Sequence, residues 1–430
     1  MPLPAGLRSL LAQPHFGRLL VTRLMGQTSD GMFQVGLASF VFFSPERQTT
    51  AGKVAATFAV LLLPYCVVGP FAGVFLDRWK RERVLVVANL VRSMLVVGTA
   101  TLAFLGVTGL AFFASALAVL SVNRFILSAL SASLPHVVEL DRLVAANALS
   151  TTAGTVVAII GGGVAVGVRS IVGSNDHGAA AILVVAAASY VASAMTAMRI
   201  PRELLGPDAD PDRPETAEAL RRVARGITDG AQHLWHHRRA GHALAAIAAH
   251  RFFYGLSTIS GFLLYRNYFY DPKDSNAGLR GLALVFTASA AGVVVAALIT
   301  PKVVHRTGPE GWVIGLYSSA VVVELLFGLP FRQDTFVIAA FLLGVVSQGS
   351  KICVDSLVQR SIDDAFRGRV FSFYDIVFNV AFVAAAALGA AMLPMTGKSY
   401  PVLFIIAGGY GLTAIGYAHA SRQFRAAAVS

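Results

Sequence analysis

The chain has 430 residues, 56% of them hydrophobic and only 13% charged, whereas soluble domains carry about 25% charged residues. That balance excludes a soluble globule. The formal charge of +12 does not imply nucleic acid, because the Lys and Arg residues collect in short loops between apolar runs, as topology-setting charges do.

Windows of about 19 residues with few charges recur along the length, each long enough to cross about 30 Å of hydrocarbon. The predicted spans lie at about 18–43, 54–76, 84–106, 110–134, 145–168, 177–198, 242–265, 281–304, 312–330, 335–357, 370–393 and 400–420. About twelve helices with both termini cytoplasmic are therefore expected, in an all-α membrane protein. The first apolar run is long enough to be a span itself and lacks a cleavable signal pattern. It carries Gln27 and Asp30, the latter about twelve residues in and ~18 Å from the cytoplasmic end.

The second and third spans are joined by a dense run of charge at Asp77, Arg78, Lys80, Arg81, Glu82 and Arg83, preceded by Gly73. Short cationic loops face the cytoplasm, and a small residue at 73 lets two helices approach. Arg92 in the third span is expected to snorkel towards the cytoplasm. Arg124 in the fourth lies ~15 Å from the cytoplasmic end, at a depth similar to Asp30. Ionisable groups at such depth are costly and are functional suspects. An acid whose protonation depends on a neighbouring cation can exchange protons with both sides of a membrane, so Asp30 and Arg124 are the candidate coupling pair. A permanent structural ion pair is the other reading.

From Arg199 to Gly241 runs the longest polar stretch. Pro201, Pro207, Pro211 and Pro214 mark irregular chain. Beyond them Leu220, Val223, Ile227, Ala231 and Leu234 recur at helical spacing, with Arg221, Arg222 and Arg225 off the stripe, a pattern that fits a helix lying on the interface. Three parts follow: 1–198 and 242–430 as six-helix halves, and 199–241 as a cytoplasmic linker.

The halves overlay at a constant offset of about 224 residues. Asp30 then meets Tyr254, Gln27 meets Arg251, and the charged loop meets Pro301, Lys302, His305 and Arg306. In the second half His250 and Arg251 lie near mid-depth, and Gln348, Lys351 and Asp355 share one face of the tenth span. These are candidate substrate-contacting groups, although Lys351 and Asp355 are spaced to neutralise one another. Glu324 in the ninth span has no evident partner.

The spacing of Gly73, Asp77, Arg78 and Arg81 resembles the loop signature between helices 2 and 3 of the major facilitator superfamily. The resemblance implies two parallel six-helix repeats with a substrate site at mid-depth, and a gate latch formed by Asp77, Arg78 and Arg81. Arg124 stands where many proton-coupled exporters of that superfamily carry a helix-4 arginine, although Ser128, Ser131 and Ser133 replace the usual glycines. Phe16, Gly17 and Arg18, Ala145 with Asn147, and the run from Gln359 through Asp363, Asp364, Arg367, Gly368 and Arg369 resemble the branch of enterobactin exporters and macrolide efflux pumps. The helix-5 antiporter signature expects Gly-Pro; Gly161, Gly162 and Gly163 stand here without the proline.

The expected function is proton-coupled efflux of a small amphiphilic compound: drug, siderophore or metabolite. A lysolipid importer or flippase and a transport-inactive sensor are the alternatives. The protein is expected in the cytoplasmic membrane as a monomer, with small-molecule substrate, protons and lipid as partners, no nucleic acid, no cofactor and no enzymatic role. His136 and Asp141 match the His-x4-Asp pattern of glycerolipid acyltransferases, but no other catalytic element follows. His233, His236 and His237 offer imidazoles one turn apart, yet their basic surroundings favour a solvated face over a metal site. No P-loop is present. Cys66 and Cys353 both fall inside predicted spans, so no extracellular disulfide is expected.

Overall fold

The computed structural model describes residues 13–42, 50–76, 78–139, 143–173, 175–206, 215–271, 274–362 and 364–427. The first-half helices are α1 (Pro14–Phe42), α2 (Ala51–Val67), α3 (Ala72–Leu76), α4 (Arg81–Phe104), α5 (Leu110–Ser133), α6 (Leu143–Val172) and α7 (Asp176–Ala197). After α8 (Thr216–His236) come α9 (Arg238–Asn267), α10 (Ser275–Val323), α11 (Gln333–Ser361), α12 (Asp364–Met392) and α13 (Tyr400–Ala427). Among the described residues the regular structure is all helical. Segments 140–142 and 207–214, which hold Asp141, Pro207, Pro211 and Pro214, lie outside the described residues, as do Asp77 and Asp363.

Among the described residues eight helices are long and apolar enough to cross a membrane. One of them, Asn276–Gly328 with 53 residues, is far longer than the ~20 residues that one crossing needs. Its backbone breaks at Gly308, whose φ of 74° is left-handed, the conformation glycine adopts without a Cβ penalty. Pro301 and Pro309 flank the break, so α10 is two crossings. α1 and α9 have length enough, at 29 and 30 residues, and carry the buried polar groups that lower their hydropathy. α2 holds Pro64 in its last turn and ends at Val67, after which a turn carries the chain into α3.

The repeat is visible in the helix boundaries. At an offset of about 224 residues, Pro14–Phe42 falls on Arg238–Asn267, Leu110–Ser133 on Gln333–Ser361 and Asp176–Ala197 on Tyr400–Ala427. The chain divides into two compact units, residues 1–47 with 63–223, and 48–62 with 224–430. In the first unit α1 packs on α6 and α7, and α4 on α5 and α7. In the second α9 packs on α11, α12 and α13, and α10 on α11 and α13.

Candidate functional site

Four helices of the first unit bring polar side chains to one buried point. Asp30 of α1 is 6% exposed and Arg92 of α4 is fully buried. Arg92 Nη1 donates to Asp30 Oδ1 at 2.8 Å and to Asn123 Oδ1 at 2.5 Å, and Nη2 donates to Asn89 Oδ1 at 2.8 Å. The Tyr190 hydroxyl of α7 donates to the same Asp30 oxygen at 2.8 Å, while its ring lies 3.8 Å from the guanidinium carbon. The planar fork of arginine satisfies three acceptors at once, and the cation gains the face of an aromatic ring.

This arrangement corrects two expectations. Asp30 meets Arg92 rather than Arg124, because successive helical residues point about 100° apart and Asn123 is the residue of α5 that faces the cluster. Arg92 does not snorkel: it stands eleven residues into α4, ~16 Å along the axis, beyond the reach of its side chain to the interface. The sequence signal was Asn89 and Arg92 at i, i+3, two polar groups on one face of an apolar span.

One turn before Asp30, Gln27 Oε1 accepts from Arg23 Nε at 3.2 Å, and Arg23 Nη1 donates to Ser150 Oγ of α6 at 3.1 Å. Arg23 is buried, a cation that the sequence reading passed over because it lies near the helix end. Gln27 packs where Gly154 leaves room for it.

The charged loop is fastened to the segment that follows α7. Arg81 N donates to Gly206 O at 3.0 Å, and Arg81 Nη1 donates to Leu205 O at 3.1 Å and Ala132 O at 2.9 Å. Glu82 accepts from the Glu203 amide, and Lys80 pairs with the Glu203 carboxylate. Arg78 Nη1 caps the Val74 carbonyl at 2.8 Å; Gly73 lies within α3. Arg78 and Arg81 thus both reach backbone carbonyls, and Asp77, the acid expected beside them, lies outside the described residues. His136 stands beside it, Nδ1 3.5 Å from Arg81 Nη1.

Lys80 holds the Glu203 carboxyl below the ordinary carboxylate range, first by its hydrogen bond and then by its charge. A lowered native value means that the contact is in place above the ordinary range and is lost as pH falls through the lowered value. Amide exchange over residues 199–206, corrected for intrinsic rate, should quicken on acidification, and Glu203→Gln should exchange fast throughout. Equal protection of both proteins at every pH would contradict this role.

In the second unit the predicted groups separate into two clusters. Lys351 and Asp355 of α11 form their i, i+4 pair at 2.8 Å, with the ammonium 5.2 Å from the Tyr374 ring. Arg251 of α9 lies over the rings of Phe378 and Phe382 of α12, at 4.5 and 4.6 Å, and no acid pairs with it among the described residues. Gln348, one turn before Lys351, is half-buried. His250 points the other way, 1% exposed, stacked on Tyr317 and tilted against Tyr254 and Tyr410; among the described residues neither ring nitrogen has a hydrogen-bond partner. Glu324, left without a partner by the sequence, accepts from Ser257 Oγ at 2.7 Å.

The expected interfacial helix is α8. Arg221, Arg222 and Arg225 are exposed, whereas Gly226, Gly230 and Leu234 are buried, and Asp229 reaches Arg369 at 3.6 Å. His233 stacks on Phe366 at 4.2 Å. Among the described residues no group of three metal-ligating side chains forms. At the other end of the second unit's charge pattern, Arg239 Nε binds Glu310 Oε1 at 2.9 Å.

The Major Facilitator Superfamily profile matches residues 24–374. Uncharacterized MFS-type transporters of Mycobacterium bovis and Mycobacterium tuberculosis are each 34% identical over 392 residues, 91% of this chain and 88% of theirs. Among solved structures, the nucleoside transporter NupG aligns with a TM-score of 0.66 at 15% identity, covering 95% of this chain and 99% of its own. A peptide transporter POT in complex with sulfate aligns with a TM-score of 0.68 at 14% identity, over 97% of this chain and 98% of that one. A bacterial homologue of the iron transporter ferroportin gives 0.63 at 15% identity, over 94% of this chain and 98% of that one. Likeness at these identities is likeness of fold.

Proposed function

The chain belongs to the Major Facilitator Superfamily, and from that premise we propose that it is a proton-coupled secondary transporter that exports a small amphiphilic compound by alternating access. The observation that carries the reading is the environment of Asp30. Its carboxylate is buried, yet the cation that balances it has two further acceptors, Asn89 and Asn123. When Asp30 takes a proton, Arg92 keeps two hydrogen bonds to amide oxygens, and Asp30 still accepts from Tyr190. A buried acid can then change charge without stranding its partner, which an ordinary isolated ion pair cannot do.

On the substrate side, Arg251 over Phe378 and Phe382 and Lys351 near Tyr374 present cations on aromatic faces, with Asp355 beside Lys351. That chemistry suits a compound with an apolar or aromatic body and an anionic group, such as a siderophore, an acidic drug or a lipid-like metabolite. The gate reading places Arg81, with its hold on Leu205 and Ala132, as the latch that favours one conformation.

The test is counterflow and gradient-driven efflux of a panel of fluorescent amphiphiles from proteoliposomes. Asp30→Asn should abolish efflux driven by an imposed pH gradient and leave counterflow intact. Gradient-driven efflux at the wild-type rate in that variant would refute proton coupling at Asp30.

A further inference from the structure

The second unit holds a buried carboxyl that the transport reading above does not use. Glu324 is 3% exposed and opens a five-residue π-turn, Glu324–Gly328, closed by Leu329 N to Glu324 O at 3.0 Å. Such single wide turns recur at functional positions in helices. Oε1 accepts from Ser257 Oγ of α9 at 2.7 Å. Oε2 faces the bare backbone of Gly328, where an added Cβ would stand 3.0 Å away. Beside the carboxyl is a cavity of about 50 Å³, lined in part by Tyr254, Ser257, Thr258 and Ser289, large enough for an ordered water.

We infer that Glu324 is a proton-binding site of the C-terminal unit, distinct from the Asp30 cluster and reached by water through this cavity, whose largely apolar lining includes the hydroxyls of Tyr254, Ser257, Thr258 and Ser289. The inference rests on the proton-coupled reading for its role in transport, but not for the binding itself. No cation pairs with Glu324 among the described residues. The groups that face it are hydroxyls and apolar carbons: Ser257 and Tyr254 from α9, Ser289 from α10, Phe336 and Leu343 from α11, and Tyr410 from α13, which is within electrostatic range. The nearest cationic positions on α9, His250 and Arg251, stand six to seven residues before Ser257, ~10 Å along the axis. With no fixed positive charge opposite it, the group that can balance a buried carboxylate here is a proton.

Proton binding there is simple to balance. The incoming proton, delivered by water in the cavity, bonds to Oε2. Oε1 remains the carbonyl oxygen and keeps its hydrogen bond from Ser257. On release the proton returns to water and the carboxylate keeps the same donor. Gly328 matters because it leaves room at Oε2 for the proton and a water.

The experiment is infrared difference spectroscopy on the full chain in phosphatidylcholine liposomes, between about pH 5 and about pH 10. A carbonyl band of a neutral carboxylic acid should disappear as pH rises in the wild type and in Asp30→Asn, and should be missing from Glu324→Gln. Ser257→Ala, which leaves the acid in place, should shift the frequency of that band, because its carbonyl loses a donor. Gly328→Ala should move its midpoint at unchanged amplitude. Identical difference spectra from wild type and Glu324→Gln, or a band whose frequency ignores Ser257→Ala, would overturn the assignment. The titration needs no substrate, so a failure of coupling at Asp30 leaves it standing, and a flat titration refutes it with coupling intact.

Discussion

Arg92→Leu should cost about 3–5 kcal/mol, the usual penalty for removing one member of a buried ion pair, and should leave little folded protein in detergent. The loss is larger than the worth of the pair because of what remains. Asp30 would lose its cation and keep neutral donors such as the Tyr190 hydroxyl, and Asn89 and Asn123 would lose the Nη groups they accept from. Arg92→Lys should fall between the two, since one ammonium cannot reproduce the fork that reaches three acceptors. The double variant Asp30→Asn, Arg92→Gln should recover stability relative to Arg92→Leu, because no buried charge is left unbalanced, yet it should show no proton-driven efflux. Thermal unfolding followed by size-exclusion fluorescence checks the stabilities. A melt for Arg92→Leu equal to that of the wild type would show that the cluster contributes nothing net.

Much of this molecule was legible in its sequence because lipid imposes strict rules. Apolar windows set the spans, and an offset of about 224 residues tied the halves together closely enough that Pro14 and Arg238 each open the corresponding helix. Asp30 could be marked as special from depth alone. Its partner could not, since pairing depends on which faces of α4, α5 and α7 turn inward, and a span buried on most sides gives little periodicity to read. Arg92 and Arg124 have similar depth and type; only rotation about two helix axes separates them. Tyr190 carries no sequence signal for its hydrogen bond, because a tyrosine in an apolar span is ordinarily packing. The hold on Arg81 lacked a sequence signal for another reason: it includes the carbonyls of Leu205 and Ala132, and backbone acceptors are invisible in side-chain patterns. Glu324 was anomalous in sequence for a physical reason, namely that its partner is a serine on another helix.

The glycine run in α6 gives the second large expected effect, and a sharp contrast within three residues. A Cβ built on Gly161 would strike the Thr28 carbonyl of α1, and one on Gly31 would strike the Ala158 carbonyl of α6. These are backbone atoms, which cannot rotate aside, so the two helices touch main chain to main chain as small residues permit in membranes. A Cβ on Gly163 meets nothing within 4 Å. Gly161→Val should therefore cost at least about 3 kcal/mol, the upper end of overpacking penalties, whereas Gly163→Val should express and melt like the wild type. Equal behaviour of the two variants would sink the close-contact reading. The consequence reaches function through α1: Thr28 is two residues from Asp30, so wedging α1 away from α6 also displaces Asp30 from Arg92 on α4. A milder Gly161→Ala should then lose gradient-driven efflux at temperatures where the protein is still folded, because the ion-pair geometry fails before the bundle does. The second unit repeats the device, with Gly292 against the Phe341 carbonyl and Gly344 against the Ser289 carbonyl. Ser289 also lines the cavity beside Glu324, so Gly344→Val should disturb the Glu324 titration as Gly161→Val disturbs Asp30.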